Sequence, residues 1–170
     1  MKKLTFLICS IISLNAFALN YVEYLNSGQF TTDANIEKVF SDKVSDKAKS
    51  LGDASVELQA NNPYFKSFLF TTKDGKYVGL TIDTKTGKEV NLKDLFVKGY
   101  AGPLNEIIKQ KLTQNFGLTN NKFKGVSTWF HQEFYLNDGV INIILNDVTK
   151  VGNKNVIVPI FPIELKGLIK

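Results

Sequence analysis

His131 is the only histidine in this chain of 170 residues, and Ser127 and Glu133 stand close to it in sequence. A hydroxyl, an imidazole and a carboxylate are the groups a nucleophilic hydrolase needs, the ring taking the hydroxyl proton and the acid orienting the ring. Spacing opposes that chemistry, because on an extended strand Ser127 lies ~13 Å from His131. No catalytic residue is assigned on this basis. A lone histidine without a second His or a Cys is also a poor zinc set, so no metal is expected. Asp94, Glu133, Asp138 and Asp147 are the carboxylates that could flank a glycosidic bond, the arrangement glycoside hydrolysis requires. Asp138 already suits a turn and Asp94 a helix cap, and an envelope hydrolase is therefore the alternative reading. Gly87-Lys88 runs into Glu89 with no glycine five residues earlier, so no phosphate loop and no nucleotide cofactor are expected.

Binding is the better reading of the same region. Trp129, His131, Glu133 and Tyr135 alternate along the chain and would share one face of a strand. Trp and Tyr combine a large apolar area with a polar edge, which suits stacking on a sugar or packing in a protein interface. For the face itself the favoured expectation is that helices cover it and make it core, because a two-layer domain buries most of its aromatics. As a ligand surface it requires Trp129 and Tyr135 to be at least partly exposed.

A hairpin must carry that face. Trp129 to Leu136 can meet Val140 to Leu145 across Asp138-Gly139. Pairing Asn137 with Val140 places Leu136 opposite Ile141 and Phe134 opposite Ile143, an apolar face. His131, Glu133, Tyr135 and Asn142 then take the other. Upstream, Ile36, Phe40, Val44 and Ala48 recur at helical spacing after Asp33 as N-cap, with Gly52 as the stop. Strands are predicted around Val56 and Leu58, over 64–72 and over 77–83. Asp74-Gly75 joins the last two as the dipeptide a two-residue type I′ turn prefers. A second helix is predicted from Pro103, with Leu104, Ile107, Ile108 and Leu112 as its buried stripe and Gly117 as its end. A strand over 155–159 and a short closing helix over 162–170 complete the chain, and 19–30 is ambiguous. The fold class that results is α+β, a mainly antiparallel sheet with two helices packed on one face.

Export is the first expectation about location. Lys2 and Lys3, an apolar run from Leu4 to Leu14 and Ala16-Phe17-Ala18 form a signal peptide pattern over 1–18, too short to span a bilayer. Cleavage would leave a single domain over 19–170, periplasmic or secreted. Cys9, the only cysteine, falls in that segment behind Ile8 rather than a small residue, so neither lipidation nor a disulfide is expected. Removing Lys2 and Lys3 leaves 19 lysines against 16 acids, a mild balance of +3 with no arginine. The lysines are scattered rather than clustered among aromatics, which excludes nucleic acid as a partner. Taken over the whole chain, this balance steers acidic partners more readily than basic ones.

The segment Asp83-Thr-Lys-Thr-Gly-Lys-Glu-Val-Asn-Leu-Lys-Asp-Leu-Phe96 adds a more specific signal. With Phe134-Tyr135-Leu136-Asn137-Asp138-Gly139, the Ile-rich strand after it, and Val158-Pro159 with Leu165, it resembles the RsiV-like (DUF3298) family of exported domains over roughly 64–170. In that resemblance Leu92, Leu95 and Phe96 seat the link between sheet and helix, and Gly87 and Gly139 supply turn geometry. The chain departs from the family where Asn146-Asp147-Val148-Thr149-Lys150 replaces an aromatic segment. The best-known member is an anti-sigma factor whose exported domain binds lysozyme. The resemblance therefore implies a non-catalytic binding protein of the bacterial cell envelope, recognising a protein such as lysozyme, another envelope protein or a peptidoglycan glycan.

Overall fold

The computed structural model describes residues 34–119, 122–126, 131–148 and 155–170. The signal pattern over 1–18, the ambiguous stretch 19–30, Asp33, Ser127 and Trp129 lie outside the described residues.

Helix α1 spans Ala34–Ser50. Its Phe40 is buried and Val44 and Ala48 pack beside it, as the 3.6-residue period requires. Gly52, at φ +73°, ends it, and the Ala54 N–H returns to the Ala48 carbonyl at 3.2 Å. Strands β1 (Ser55–Asn61), β2 (Phe65–Thr71) and β3 (Tyr77–Asp83) then form an antiparallel sheet in sequence order. Asn62 shapes the first turn, its Oδ1 accepting the N–H groups of Tyr64 and Phe65 at 2.9 and 3.0 Å.

The two Asp-Gly turns differ. Asp138 and Gly139 both take positive φ, +45° and +77°, which is the two-residue type I′ turn. They join β4 (Phe134–Asn137) to β5 (Val140–Leu145) in the anticipated register, with Phe134 opposite Ile143, Leu136 opposite Ile141 and Asn137 opposite Val140. Strand β4 begins at Phe134 rather than Trp129. Asp74-Gly75 instead belongs to a three-residue loop over 73–75. There Gly75 alone is left-handed (φ +80°), and the Gly75 N–H bonds the Thr72 carbonyl at 2.9 Å. The reason is Thr72, whose hydroxyl accepts the Lys76 N–H at 2.9 Å and donates to the Asp74 carboxylate. That hydroxyl braces a wider loop than the dipeptide by itself demands.

Helix α2 spans Ala101–Gln114 and starts two residues before Pro103. Pro103 sits in the first turn, where its missing N–H has no intrahelical acceptor to lose. Leu104, Ile108 and Leu112 are buried as predicted. At the other end Gly117 (φ +65°) bonds the Thr113 carbonyl and Leu118 bonds the Leu112 carbonyl, the paired bonds of a Schellman cap. Strand β6 (Val156–Ile160) pairs antiparallel with β5 and completes a second three-stranded sheet, in order β4-β5-β6.

The class is α+β with antiparallel sheets, but its layering differs from the single sheet expected. Phe40 of α1 packs with Phe70, Leu80 and Ile82 of the first sheet. Leu104, Ile108 and Leu112 of α2 pack with Phe134, Ile143, Val158 and Ile160 of the second. Each helix thus covers its own sheet. The sheets meet through β4, which touches β1, β2 and β3 and so lies across the first sheet. No closing helix forms over 162–170. Pro162–Leu165 is a single 3-10 turn, Gly167 turns the chain at φ +79°, and Ile169 bridges to Phe96. A strand-like bridge at Ile169 is incompatible with continuing the helix.

Candidate functional site

The face proposed from sequence divides between surface and interior. His131 is exposed, and its Nε2 lies 3.1 Å from Glu133 Oε1. The other oxygen of that carboxylate, Oε2, accepts the Gly79 N–H of β3 at 2.8 Å. Gln132 fixes the approach, its side-chain amide donating to the Glu133 and Ile144 carbonyls at 3.2 and 2.9 Å. Glu133 therefore joins the second sheet to an edge strand of the first. Tyr135, one turn of the pleat further on, is only 8% exposed and packs with Leu69 and Ile144. Burial, then the nearby Glu57 and Tyr77, raise its phenol above the usual value. The expectation that Tyr135 offers a ligand-binding surface is corrected: this side of β4 faces the first sheet, and the interface it makes is internal. Trp129 lies outside the described residues, so the structure brings together His131 and Glu133 at the surface and takes Tyr135 away.

The four candidate carboxylates do not converge on one point. Asp138 and Asp147 stand at opposite ends of β5, a strand of six residues and so roughly 20 Å long. That exceeds the separation of about 5–9.5 Å at which paired acids cleave glycosides. Asp94 Oδ2 accepts the Asn91 N–H at 2.9 Å and caps the 3-10 turn Leu92–Leu95. Among the described residues no group of three His, Cys, Asp or Glu side chains is placed to hold a metal ion. No helix among them is long and apolar enough to cross a membrane.

Sequence reasoning passed over a cleft of about 400 Å³. One wall is Tyr64 and Phe65 at the start of β2, and the floor includes Thr81 of β3 and Leu136 of β4. A second wall is Asp83, the direct strand partner of Phe65, with Thr86, Lys88, Glu89, Val90, Asp94 and Leu95. That wall is the 83–96 segment, whose residues had looked purely structural. Its shape follows from Asp83, whose Oδ1 accepts the N–H groups of Lys85 and Thr86 at 2.9 and 2.7 Å and the Thr86 hydroxyl at 3.0 Å. Gly87 (φ +66°) then turns the chain so that Glu89 bridges back to Ile82.

The floor is the joint between the sheets. Ser67 and Thr81 share a hydroxyl–hydroxyl bond of 2.8 Å, and Ser67 Oγ also accepts the Leu136 N–H at 2.8 Å. A polar and apolar floor with two aromatic residues and carboxylates around it can hold a ligand by contact and hydrogen bonding. Three carboxylates (Asp83, Glu89, Asp94) and one ammonium (Lys88) line it, with the Lys85 ammonium 5.7 Å from the Tyr64 ring centroid, so the lining is mildly acidic within a basic chain. The signal for it in the sequence was the density of turn and cap residues between Asp83 and Asp94, which fold one segment back against β3. No family model matches the chain, and no curated protein matches it.

Proposed function

We propose that this protein is an exported, non-catalytic binding protein of the bacterial cell envelope, and that the cleft walled by 83–96 is its binding site. The observation that carries the reading is the cleft itself. It is formed where the two sheets join, and its Asp83 and Asp94 carboxylates already serve as turn and cap acceptors. Acids committed to backbone N–H groups hold a wall in shape and are poor proton donors for hydrolysis. The signal pattern over 1–18 supports export, and the resemblance to the RsiV-like family supports a partner such as lysozyme.

Local charge favours that partner over an acidic one. The chain carries a formal +5, yet the cleft lining has three acids to one lysine. A basic protein is attracted by the lining it would enter, which matters more at contact than the net charge does at a distance. The test is titration of the mature chain against a basic lysozyme at low and at high salt, beside sedimentation with purified peptidoglycan. Binding that weakens with salt, falls in Glu89→Lys and rises in Lys88→Glu is the expected result. Both side chains are exposed, so neither change threatens the fold. Binding to peptidoglycan alone would make the ligand a glycan. Release of glycan fragments, abolished by Glu133→Gln or Asp147→Asn, would replace the reading with a hydrolase.

A further inference from the structure

A second surface, which adjoins the cleft only at Asp94 and Leu95, carries its own chemistry. After β6 the chain exposes Phe161 and Ile163, at 46% and 70%, on either side of Pro162. These are large apolar side chains on or beside a 3-10 turn, and water should disfavour holding them there. The turn is nevertheless braced from beneath. Glu164 Oε2 accepts the Phe161 N–H at 2.8 Å, and Glu164 Oε1 pairs with Lys111 Nζ at 2.9 Å. Lys111 is itself buried on α2, and its ammonium lies 5.0 Å from the Phe161 ring centroid. One carboxylate and one buried lysine thus fix both the backbone and the ring of the tip.

The surroundings are basic. Lys166 follows the turn directly, as its C-cap, and is exposed. The segment then pairs with 95–97: the Val97 N–H bonds the Leu168 carbonyl at 2.8 Å and the Lys170 N–H bonds the Leu95 carbonyl at 3.1 Å. Exposed Lys93, Lys98, Lys166 and Lys170 therefore lie on two adjoining segments. The acids among them are Glu164, paired with Lys111, and Asp94, which keeps its charge while it caps its own turn, so four exposed lysines stand against one unneutralised carboxylate.

We propose that the Phe161-Pro162-Ile163 tip and its flanking lysines dock on an anionic phospholipid surface, the apolar pair entering the headgroup region and the lysines meeting lipid phosphates. An exposed apolar pair flanked by lysines matches a negatively charged lipid surface, with apolar contact and charge acting together. The preformed tip has little ordering entropy left to lose on contact. The site does not depend on the cleft.

The experiment is co-sedimentation of the mature chain with vesicles of phosphatidylcholine alone and of phosphatidylcholine with phosphatidylglycerol. Binding should need the anionic lipid and should fall as salt rises. Ile163→Asp should reduce partitioning at least about tenfold, and each of Lys166→Gln and Lys170→Gln about fivefold. Thermal melts verify the fold, and Phe161→Ser with Ile163→Ser serves as a second tip variant. Equal binding to both vesicle types, unchanged binding of the tip variants, or tip-dependent self-association without lipid would each overturn the proposal. Cleft variants such as Glu89→Lys should leave vesicle binding intact.

Discussion

Gly79 and Phe134 approach so closely that a Cβ added to Gly79 would lie 1.8 Å from the Phe134 carbonyl oxygen. The contact is backbone against backbone, so no side-chain rotation can relieve it. It is the point at which β4 lies against β3, beside the Glu133 bond to the Gly79 N–H. Gly79→Ala should therefore push the sheets apart and cost about 3 kcal/mol or more, at or above the upper end for overpacking. Urea denaturation measures this. A loss below about 1 kcal/mol, as for a glycine that merely sits in a strand, would contradict the joint described above.

The second Asp-Gly turn should be the more demanding of the two. Both Asp138 and Gly139 are left-handed, whereas in the 73–75 loop only Gly75 is. Asp138→Ala should cost about 1 kcal/mol, since Ala tolerates positive φ less well than Asp, while Asp138→Asn should be nearly neutral. Asp74→Ala removes no left-handed residue, and its cost is limited to the bond with Thr72. Melting temperatures of the three variants rank them directly.

Lys66 is buried against α1, with Glu37 Oε1 at 2.5 Å and the Phe40 ring centroid at 4.9 Å from its ammonium. Glu37→Ala leaves that ammonium buried with its paired acid removed, while the double variant Glu37→Ala with Lys66→Met removes the charge as well. The single change should destabilise by about 1–3 kcal/mol, below the 3–5 of a fully buried pair because Glu37 is partly open to water. The double variant should recover most of the loss. A double variant worse than the single one would show that the pair itself, rather than the stranded charge, holds α1 to the sheet.

Alkaline stability should depend on two tyrosines. Burial first, then Glu57 and Tyr77, raise the Tyr135 phenol; burial first, then Asp94, raise that of Tyr100. Unfolded tyrosine titrates near pH 10, so the folded state holds these protons more tightly than the unfolded chain does. Their contribution is complete below about pH 10 and is lost as pH climbs through the raised values. Melting temperatures between pH 8 and 11.5 should fall at the alkaline end, and less steeply in Tyr135→Phe. Identical slopes in the two proteins would mean that Tyr135 is ionised in place without penalty.

Much of this architecture was legible because it is local. The β4–β5 register follows from a two-residue turn that permits one pairing, and from alternation that makes a one-residue slip put every apolar side chain on the wrong face. Helix ends at Gly52 and Gly117 follow from backbone angles that glycine reaches without strain. The Asp74-Gly75 loop misled because a hydroxyl two residues away, Thr72, selected a longer turn than the dipeptide prefers.

What alternation cannot say is which neighbour a face meets. Sequence alone determined that Tyr135 of β4 and Glu133 just before it share a side, since successive side chains of an extended chain point to opposite faces. Tertiary structure decided that this side turns towards Gly79 and Leu69, so that a surface suited to binding became the seam between two sheets. It also decided that 83–96, read as turns and caps, forms a cleft with Tyr64, Phe65 and Leu136, residues brought to it from two other stretches of chain. Periodicity and turn chemistry act over a few residues, whereas burial is settled by what the rest of the chain brings against each face.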